Sequence, residues 1–179
     1  MHETRDPGQS KRMSVYSIDK LIAEARRLAA EYRRTTGKPL AGVSSEICLH
    51  DAARLLDLEI CNPPVGGYDA IGRGPREGKR IQIKGRAIYN EARPGQRVGQ
   101  LKLDQEWDSV VLVLMDAELE PFEIYEAERA DIEACLEELD KSRRRNRGAM
   151  SVARFRNIGR LVWTREEGVV EEEVWCNQP

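Results

Sequence analysis

The sequence has no apolar run of the roughly 18–20 residues that a helix needs to cross a bilayer. Its first residues, MHETRDPGQSKRM, are polar and lack the apolar centre of a secretory signal. The hydrophobic fraction is 40% and the charged fraction is 34%, which is typical of a soluble globular protein with a strongly charged surface. We therefore expect a cytoplasmic protein with no membrane partner.

Patterns that bind zinc are also missing. The chain has only two histidines and four cysteines, and the cysteines are widely separated without a CxxC pair: Cys48, Cys61, Cys135 and Cys176. Such scattered cysteines favour reduced thiols over a zinc site or a disulfide framework.

The length of 179 residues predicts a single domain, which we place at residues 15–179 after a disordered extension at residues 1–14. The net charge is only -2, but the charges are segregated. Basic residues dominate 73–102 and 141–160, whereas acidic residues dominate 104–140. A basic surface can bind nucleic acid whatever the total charge, although such runs also occur as plain solvated surfaces.

Two helices are predicted near the start. The first covers residues 17–36, with Ser17 as N-cap, Gly37 as its end and an apolar stripe of Ile18, Leu21, Ile22, Ala25, Leu28, Ala29 and Tyr32. The second runs from about Ser45 to Leu58, capped by Ser44 or Ser45, and carries Glu46 in its first turn. An acid there also suits the helix dipole, so its position alone does not show a function.

The rest of the chain alternates strands with further helices. Predicted strands cover 58–61, two arms within 66–86, a short stretch within 86–103, 107–116, 121–127 and the last part of 151–163, with an edge strand in the tail. A helix is predicted at 128–141 and a short one from 151 to about Gly159. This order predicts an α/β fold with a mixed central sheet flanked by helices.

The segment GGYDAIGRGPREGKRIQIKGR, residues 66–86, is the most informative stretch. It predicts two short strands joined by a Gly-rich turn. If the turn is Gly74–Glu77, Asp69 falls opposite Gln82, on the same face as Lys84. A slip of one residue would separate them.

These residue types suit phosphodiester hydrolysis, which needs a divalent cation, an oriented water and positive charge near the phosphoryl oxygens. Asp69 and the amide oxygen of Gln82 are candidate ligands of a hard cation, and Glu46 would supply a second negative charge. The ammonium of Lys84 would hold the water or the phosphate.

On these residues the segment resembles the PD-(D/E)XK nuclease superfamily, in its QxK form. The resemblance covers residues 43–140 and implies a restriction endonuclease-like αβββαβ core. It also implies Mg²⁺ or Mn²⁺ as cofactor, DNA as substrate and a role in restriction, repair or defence. The catalytic set would be Glu46, Asp69, Gln82 and Lys84, with the first three binding the metal. Two departures are Gln82, where the family more often has an acid, and Tyr68, where it often has proline.

Basic residues around the ribbon would contact the nucleic acid backbone, namely Arg80, Arg86, Arg93 and Arg97. No second DNA-reading domain is visible, so sequence specificity would come from a homodimer or a protein partner.

Three other interpretations stay open. The chain could be an inactive nuclease-like scaffold that binds nucleic acid or protein, because Gln82 leaves the site one charge short. The acidic segment 104–140 could dock a basic partner. For the individual residues, the role of Asp69 could be limited to accepting hydrogen bonds from backbone amides, and Gln82 and Lys84 could be the polar face of an ordinary strand.

Overall fold

The structure, a computed structural model, describes residues 17–90, 95–141 and 150–171. The predicted extension at 1–14 and Arg93 lie outside these residues. Within them, four α-helices, one short 3-10 turn and a seven-stranded mixed sheet form an α/β fold. The predicted class, a mixed sheet flanked by helices, is confirmed.

The helices lie close to their predicted positions. They are α1 (Ile18–Thr36), α2 (Val43–Leu56), α3 (Arg129–Lys141) and α4 (Val152–Ile158). Helix α1 begins as predicted, because the Ser17 hydroxyl accepts the Lys20 N–H, and it ends at Gly37 with a φ of 72°. Helix α2 starts two residues before its predicted serine, after Gly42, and no side chain caps it.

The strands are β1 (Leu58–Ile60), β2 (Ala70–Gly72), β3 (Arg80–Ala87), β4 (Ser109–Met115), β5 (Pro121–Glu128), β6 (Arg160–Thr164) and β7 (Gly168–Val169). They lie side by side in chain order. Neighbouring strands are antiparallel except β3 and β4, which run parallel. The 3-10 turn Gly74–Arg76 forms most of the link between β2 and β3.

A parallel pair needs a crossover connection, because the chain must return to the same end of the sheet. Residues 88–108 form it, and their described part, 88–90 and 95–108, contains neither a helix nor a named strand. The short strand predicted within 86–103 is therefore wrong for these residues. A single bridge joins Arg97 to Ser151, and Val98, Leu101 and Trp107 are buried.

The sheet separates two apolar cores. Helix α2 and part of α1 cover one face through Ile47, Cys48 and Ala52, which pack with Ile81 and Ile83 of β3. Helices α3 and α4 and the crossover cover the other face. Every residue of β4 is buried, as its continuous apolar run predicts.

The apolar stripe of α1 is only partly buried. Ala29 and Ala30 are buried and Ile22 packs against the core. In contrast, four large side chains of the predicted stripe remain in solvent, with exposed fractions of 53% for Ile18, 46% for Leu21, 64% for Leu28 and 41% for Tyr32. The stripe is wider than the surface that α2 offers.

A buried ion pair joins α1 to α2. Arg26 Nη2 lies 2.8 Å from Asp51 Oδ2, and Asp51 is 2% exposed. Arg26 also donates to the carbonyl of Leu119, in the turn between β4 and β5. Removing one partner of such a pair is costly, since it leaves a buried charge uncompensated.

Among the described helices, none combines the length and apolar character required to span a membrane.

We expect Arg26→Ala to lower the free energy of unfolding by about 3 kcal/mol, because Asp51 would keep only Arg54, 3.6 Å away, as a cationic partner. The control is Arg27→Ala, since Arg27 forms a solvent-exposed pair with Glu24. Urea unfolding of both variants checks this. Equal losses in the two variants would show that the buried pair is not what stabilises this contact.

Candidate functional site

The ribbon of β2 and β3 has the predicted register. Ala70 pairs with Ile81 and Ile71 pairs with Arg80. Continued by one residue, this register sets Asp69 beside Gln82, and the N–H of Asp69 donates to the carbonyl of Ile81 at 2.9 Å. The slip that would separate the two side chains does not occur.

Strand β3 has an open edge beyond Asp69. Strand β2 begins at Ala70, so the described part of the chain places no strand beside β3 after this point on the β2 side. The Asp69 carboxylate takes the place of a strand partner for the next backbone group, because its Oδ2 accepts the N–H of Ile83 at 2.7 Å. The backbone-binding role considered for Asp69 is therefore present, but it uses one oxygen of the carboxylate only.

Lys84 lies on this edge with an unpaired ammonium. Its side chain is half-buried and has no hydrogen bond or ion pair within the segments the structure describes. Burial lowers the pKa of Lys84 from its ordinary value, the charge of Asp69 raises it, and the nearby charge of Lys102 lowers it. A half-buried ammonium without a paired acid among the described residues is suited to bind an anion.

Helix α2 reaches the same edge because β3 has glycine at position 85. A Cβ at Gly85 would lie 2.6 Å from Cys48 Sγ and 2.7 Å from Cys48 Cβ, distances that are too short for any side chain. The absence of a side chain lets the helix pack directly on the strand. The Cys48 thiol donates to the Ser45 carbonyl at 3.2 Å.

The pKa of Cys48 responds to the charges around the thiol. Burial, together with the charges of Asp51, Asp69 and Glu46, raises it to about 12, and Lys84 acts in the opposite direction. Three of the four predicted catalytic residues therefore act on one buried thiol. Glu46 itself is exposed in the first turn of α2 and forms no hydrogen bond or ion pair within the described residues.

Gln82 is placed differently from the other three. Its side chain is fully buried, and its Oε1 lies 3.4 Å from the backbone nitrogen of Lys102, which donates to it. Its Nε2 is buried and has no hydrogen-bond partner. The amide therefore faces the crossover, and its oxygen would have to leave the Lys102 N–H to bind a metal.

Lys102 is a site residue that sequence reasoning missed. Its backbone contacts Gln82, and its charge acts on Lys84. Eighteen positions separate Lys102 from Lys84 in the chain, and no strand periodicity connects them. Only the path of the crossover across the sheet brings the two lysines together.

The predicted backbone-binding arginines differ in their surroundings. Arg80 forms a two-pronged contact with Asp108, at 3.0 Å for both pairs, and Arg80 Nη1 lies 2.7 Å from Glu106. A phosphate would have to displace these acids. Arg86 donates through Nε to the carbonyl of Arg97, and Arg97 is exposed. Arg93 lies outside the described residues.

A cation at this edge would have few protein ligands. No cluster of three or more His, Cys, Asp or Glu side chains that could hold a metal occurs among residues 17–90, 95–141 and 150–171. Mg²⁺ commonly uses one or two carboxylates and fills its remaining positions with water and phosphate oxygens. Asp69 is the carboxylate that acts on Lys84, and Glu46 shares with Asp69 an effect on the Cys48 thiol.

A cavity of about 600 Å³ lies elsewhere, lined in part by Ile88, Leu114, Phe122 and Val152. Its two charged residues, Glu123 and Arg156, form an ion pair of 3.0 Å with each other. It has none of the unpaired charge found at the edge of β3, which therefore remains the candidate site.

Comparison with known proteins assigns no family: no family model matches the chain, and no curated protein is significantly similar to it.

We expect Lys84→Met to raise stability at neutral pH, because the folded state no longer has to bury an ammonium. The lowered pKa means that the cost is full below the folded-state pKa and vanishes as pH rises past the ordinary value of 10.5. The gain should therefore shrink with increasing pH. Urea midpoints measured from pH 7 to pH 10.5 check this.

The matched control is Lys79→Met, which should lower the midpoint, because Lys79 Nζ lies 2.6 Å from Glu128 and 3.5 Å from the buried Glu126. A lower urea midpoint for Lys84→Met than for the wild type at pH 7 would show that burial of this ammonium does not destabilise the fold.

Proposed function

We propose that this protein is a Mg²⁺-dependent nuclease that hydrolyses phosphodiester bonds in DNA. The observation that carries the proposal is the half-buried ammonium of Lys84, which has no paired acid within the described residues and lies within electrostatic reach of the Asp69 carboxylate at an open strand edge. An ion pair would stabilise the folded state, whereas a half-buried ammonium without a direct partner lowers the free energy of unfolding. Binding a phosphate group would compensate it.

Each residue has a distinct task in this proposal. Asp69 and Glu46 would hold the Mg²⁺ ion, which supplies Lewis-acid polarisation of phosphate and water when it is bound. Lys84 binds a phosphoryl oxygen and stabilises the negative charge that develops there. Partial burial strengthens this interaction relative to bulk water. Lys102 adds positive charge beside Lys84, and Gln82 holds the Lys102 backbone in place.

The architecture supports a restriction endonuclease-like core. Helix α2 is followed by β1, β2 and β3 in an antiparallel ribbon, and β4 then lies parallel to β3. This succession resembles αβββαβ. The departure lies in the crossover from β3 to β4, whose described residues are not helical.

The surface beside the site is suited to a polyanion. Arg86 follows Lys84 by two residues on β3 and donates to the carbonyl of Arg97, whose side chain is exposed. Lys102 acts on Lys84 from the crossover. We assign backbone contacts to Arg86 and Arg97, and a structural role to Arg80, which pairs with Asp108 and Glu106. Residue Arg93 stays a prediction.

The test is cleavage of linear, supercoiled and single-stranded DNA with Mg²⁺ and with chelator. We expect Lys84→Ala and Asp69→Asn each to reduce the cleavage rate by about 10²- to 10³-fold, because each removes a charge used on the reacting phosphate. Lys79→Ala, which removes a structural lysine of the same charge, should keep the rate. DNA affinity measured in parallel separates binding from chemistry. Equal cleavage by wild type and Lys84→Ala would exclude the role of Lys84.

Substitution of Gln82 by glutamate tests whether the site is one charge short. The new carboxylate would lie near Lys84 and Lys102 and would lack the buried, unpaired Nε2. We expect Gln82→Glu to bind Mg²⁺ about tenfold more tightly in calorimetry, since added ligand charge increases affinity for hard cations. Gln82→Met is the neutral control. Equal Mg²⁺ affinity in wild type and both variants would show that a negative charge at residue 82 does not act on the metal site.

The second candidate function is a nuclease-like scaffold that binds nucleic acid without cleaving it. The burial of Gln82 favours it, as does the lack of a cluster of three or more possible metal-binding side chains among the described residues. In that case calorimetry would show no Mg²⁺ binding and no DNA form would be cleaved. DNA affinity would still fall with salt as counterions are released, and Lys84→Ala would reduce the slope of that dependence by about one unit.

A further inference from the structure

Helix α1 presents an apolar stripe that the rest of the described chain does not cover. From here on, the stripe means the outer five residues of the predicted one, namely Ile18, Leu21, Ala25, Leu28 and Tyr32. Its four large side chains are each at least 41% exposed. An apolar surface of this kind on a helix is costly in water and marks an interaction site when it is contiguous.

The spacing of the stripe is that of a helix–helix interface. Consecutive members are separated by three, four, three and four residues, which is the a/d repeat of a coiled coil. At 1.5 Å per residue the stripe from Ile18 to Tyr32 is about 21 Å long. The same intervals are typical of any helix that packs on a core, but the core side of α1 uses other residues, namely Ile22, Ala29 and Ala30.

The borders of the stripe suit a second copy of the same surface. On one side, Glu24 pairs with Arg27 at 2.8 Å and Glu31 pairs with Arg34 at 2.9 Å, so the charges are balanced locally. On the other side, Ile22 and Ala29 continue the apolar surface into the core. A balanced border does not repel an identical copy, and a self-complementary patch is what a two-fold interface requires.

The chain outside the described residues has no matching repeat. Residues 1–16 contain Pro7 and Gly8 and only four apolar side chains large enough to pack, and residues 172–179 contain Val174 and Trp175 next to each other. Neither sequence offers apolar residues at alternating intervals of three and four. An identical α1 does, from Ile18 to Tyr32.

We propose that the protein forms a homodimer in which the Ile18–Tyr32 stripes of two α1 helices pack against each other. The stripe is narrow, and stable interfaces usually bury more than about 1,000 Å² in total. The dimer is therefore reversible, with a dissociation constant on the order of 10 µM. This proposal does not depend on the nuclease function.

Sedimentation equilibrium of the full chain tests it. The wild type should move from the mass of one chain, 20.4 kDa, towards twice that mass as the concentration rises through the micromolar range. The dissociation constant should rise at least tenfold in Leu21→Asp and in Leu28→Asp, because the new carboxylate would lose its water between the two helices. Ala25→Leu should strengthen it several-fold by filling the central position.

Val65→Asp is the matched control, since Val65 is 42% exposed and lies in the loop after β1, away from α1 in the sequence. It should dimerise like the wild type. Circular dichroism melting of each variant confirms that it folds.

Three results would overturn the proposal. The first is a wild type that stays monomeric up to about 1 mM. The second is a dimer that Leu28→Asp leaves as tight as before. The third is a monomer that dimerises only after residues 1–16 are deleted, which would show that this segment covers the stripe in the intact chain.

Discussion

The contact between helix α2 and strand β3 at Gly85 is the constraint on which the candidate site depends. The strand has no side chain there, so Cys48 packs directly on its backbone. This close approach brings the Cys48 thiol within electrostatic reach of Asp69 and Lys84. A larger residue at position 85 would push the helix away from the strand.

The charged groups of this protein fall into two kinds. Most form pairs that stabilise the fold, as Arg26 does with Asp51 and Arg80 with Asp108. Lys84 differs, because it is half-buried with a lowered pKa and lacks a direct partner in the described chain. Folding normally avoids such a state, and this is the ground on which we propose that Lys84 binds a phosphate group. The buried Nε2 of Gln82 is a second departure of this kind, two residues away on the same strand.

Much of the fold could be predicted, since it rests on local patterns. The N-cap Ser17, the terminating Gly37, the alternation within β3 and the continuous apolar run of β4 each indicate an element that the structure contains. The juxtaposition of Asp69 and Gln82 followed from the length of one turn. In contrast, the crossover was misjudged, because its segment 96–101 pairs through a single bridge and gains its order from burial against the sheet and α4.

The sequence by itself determined the elements, their order and the face that Gln82 and Lys84 share, because periodicity and turn length depend only on neighbours in the chain. Only the tertiary structure decided which of these polar groups are free. It buried Gln82 beneath the crossover, paired Arg80 with two acids, brought Lys102 within electrostatic reach of Lys84 and left four of the seven residues of the predicted α1 stripe exposed. These outcomes depend on contacts between residues far apart in the chain, and on how much apolar surface one element can cover on another.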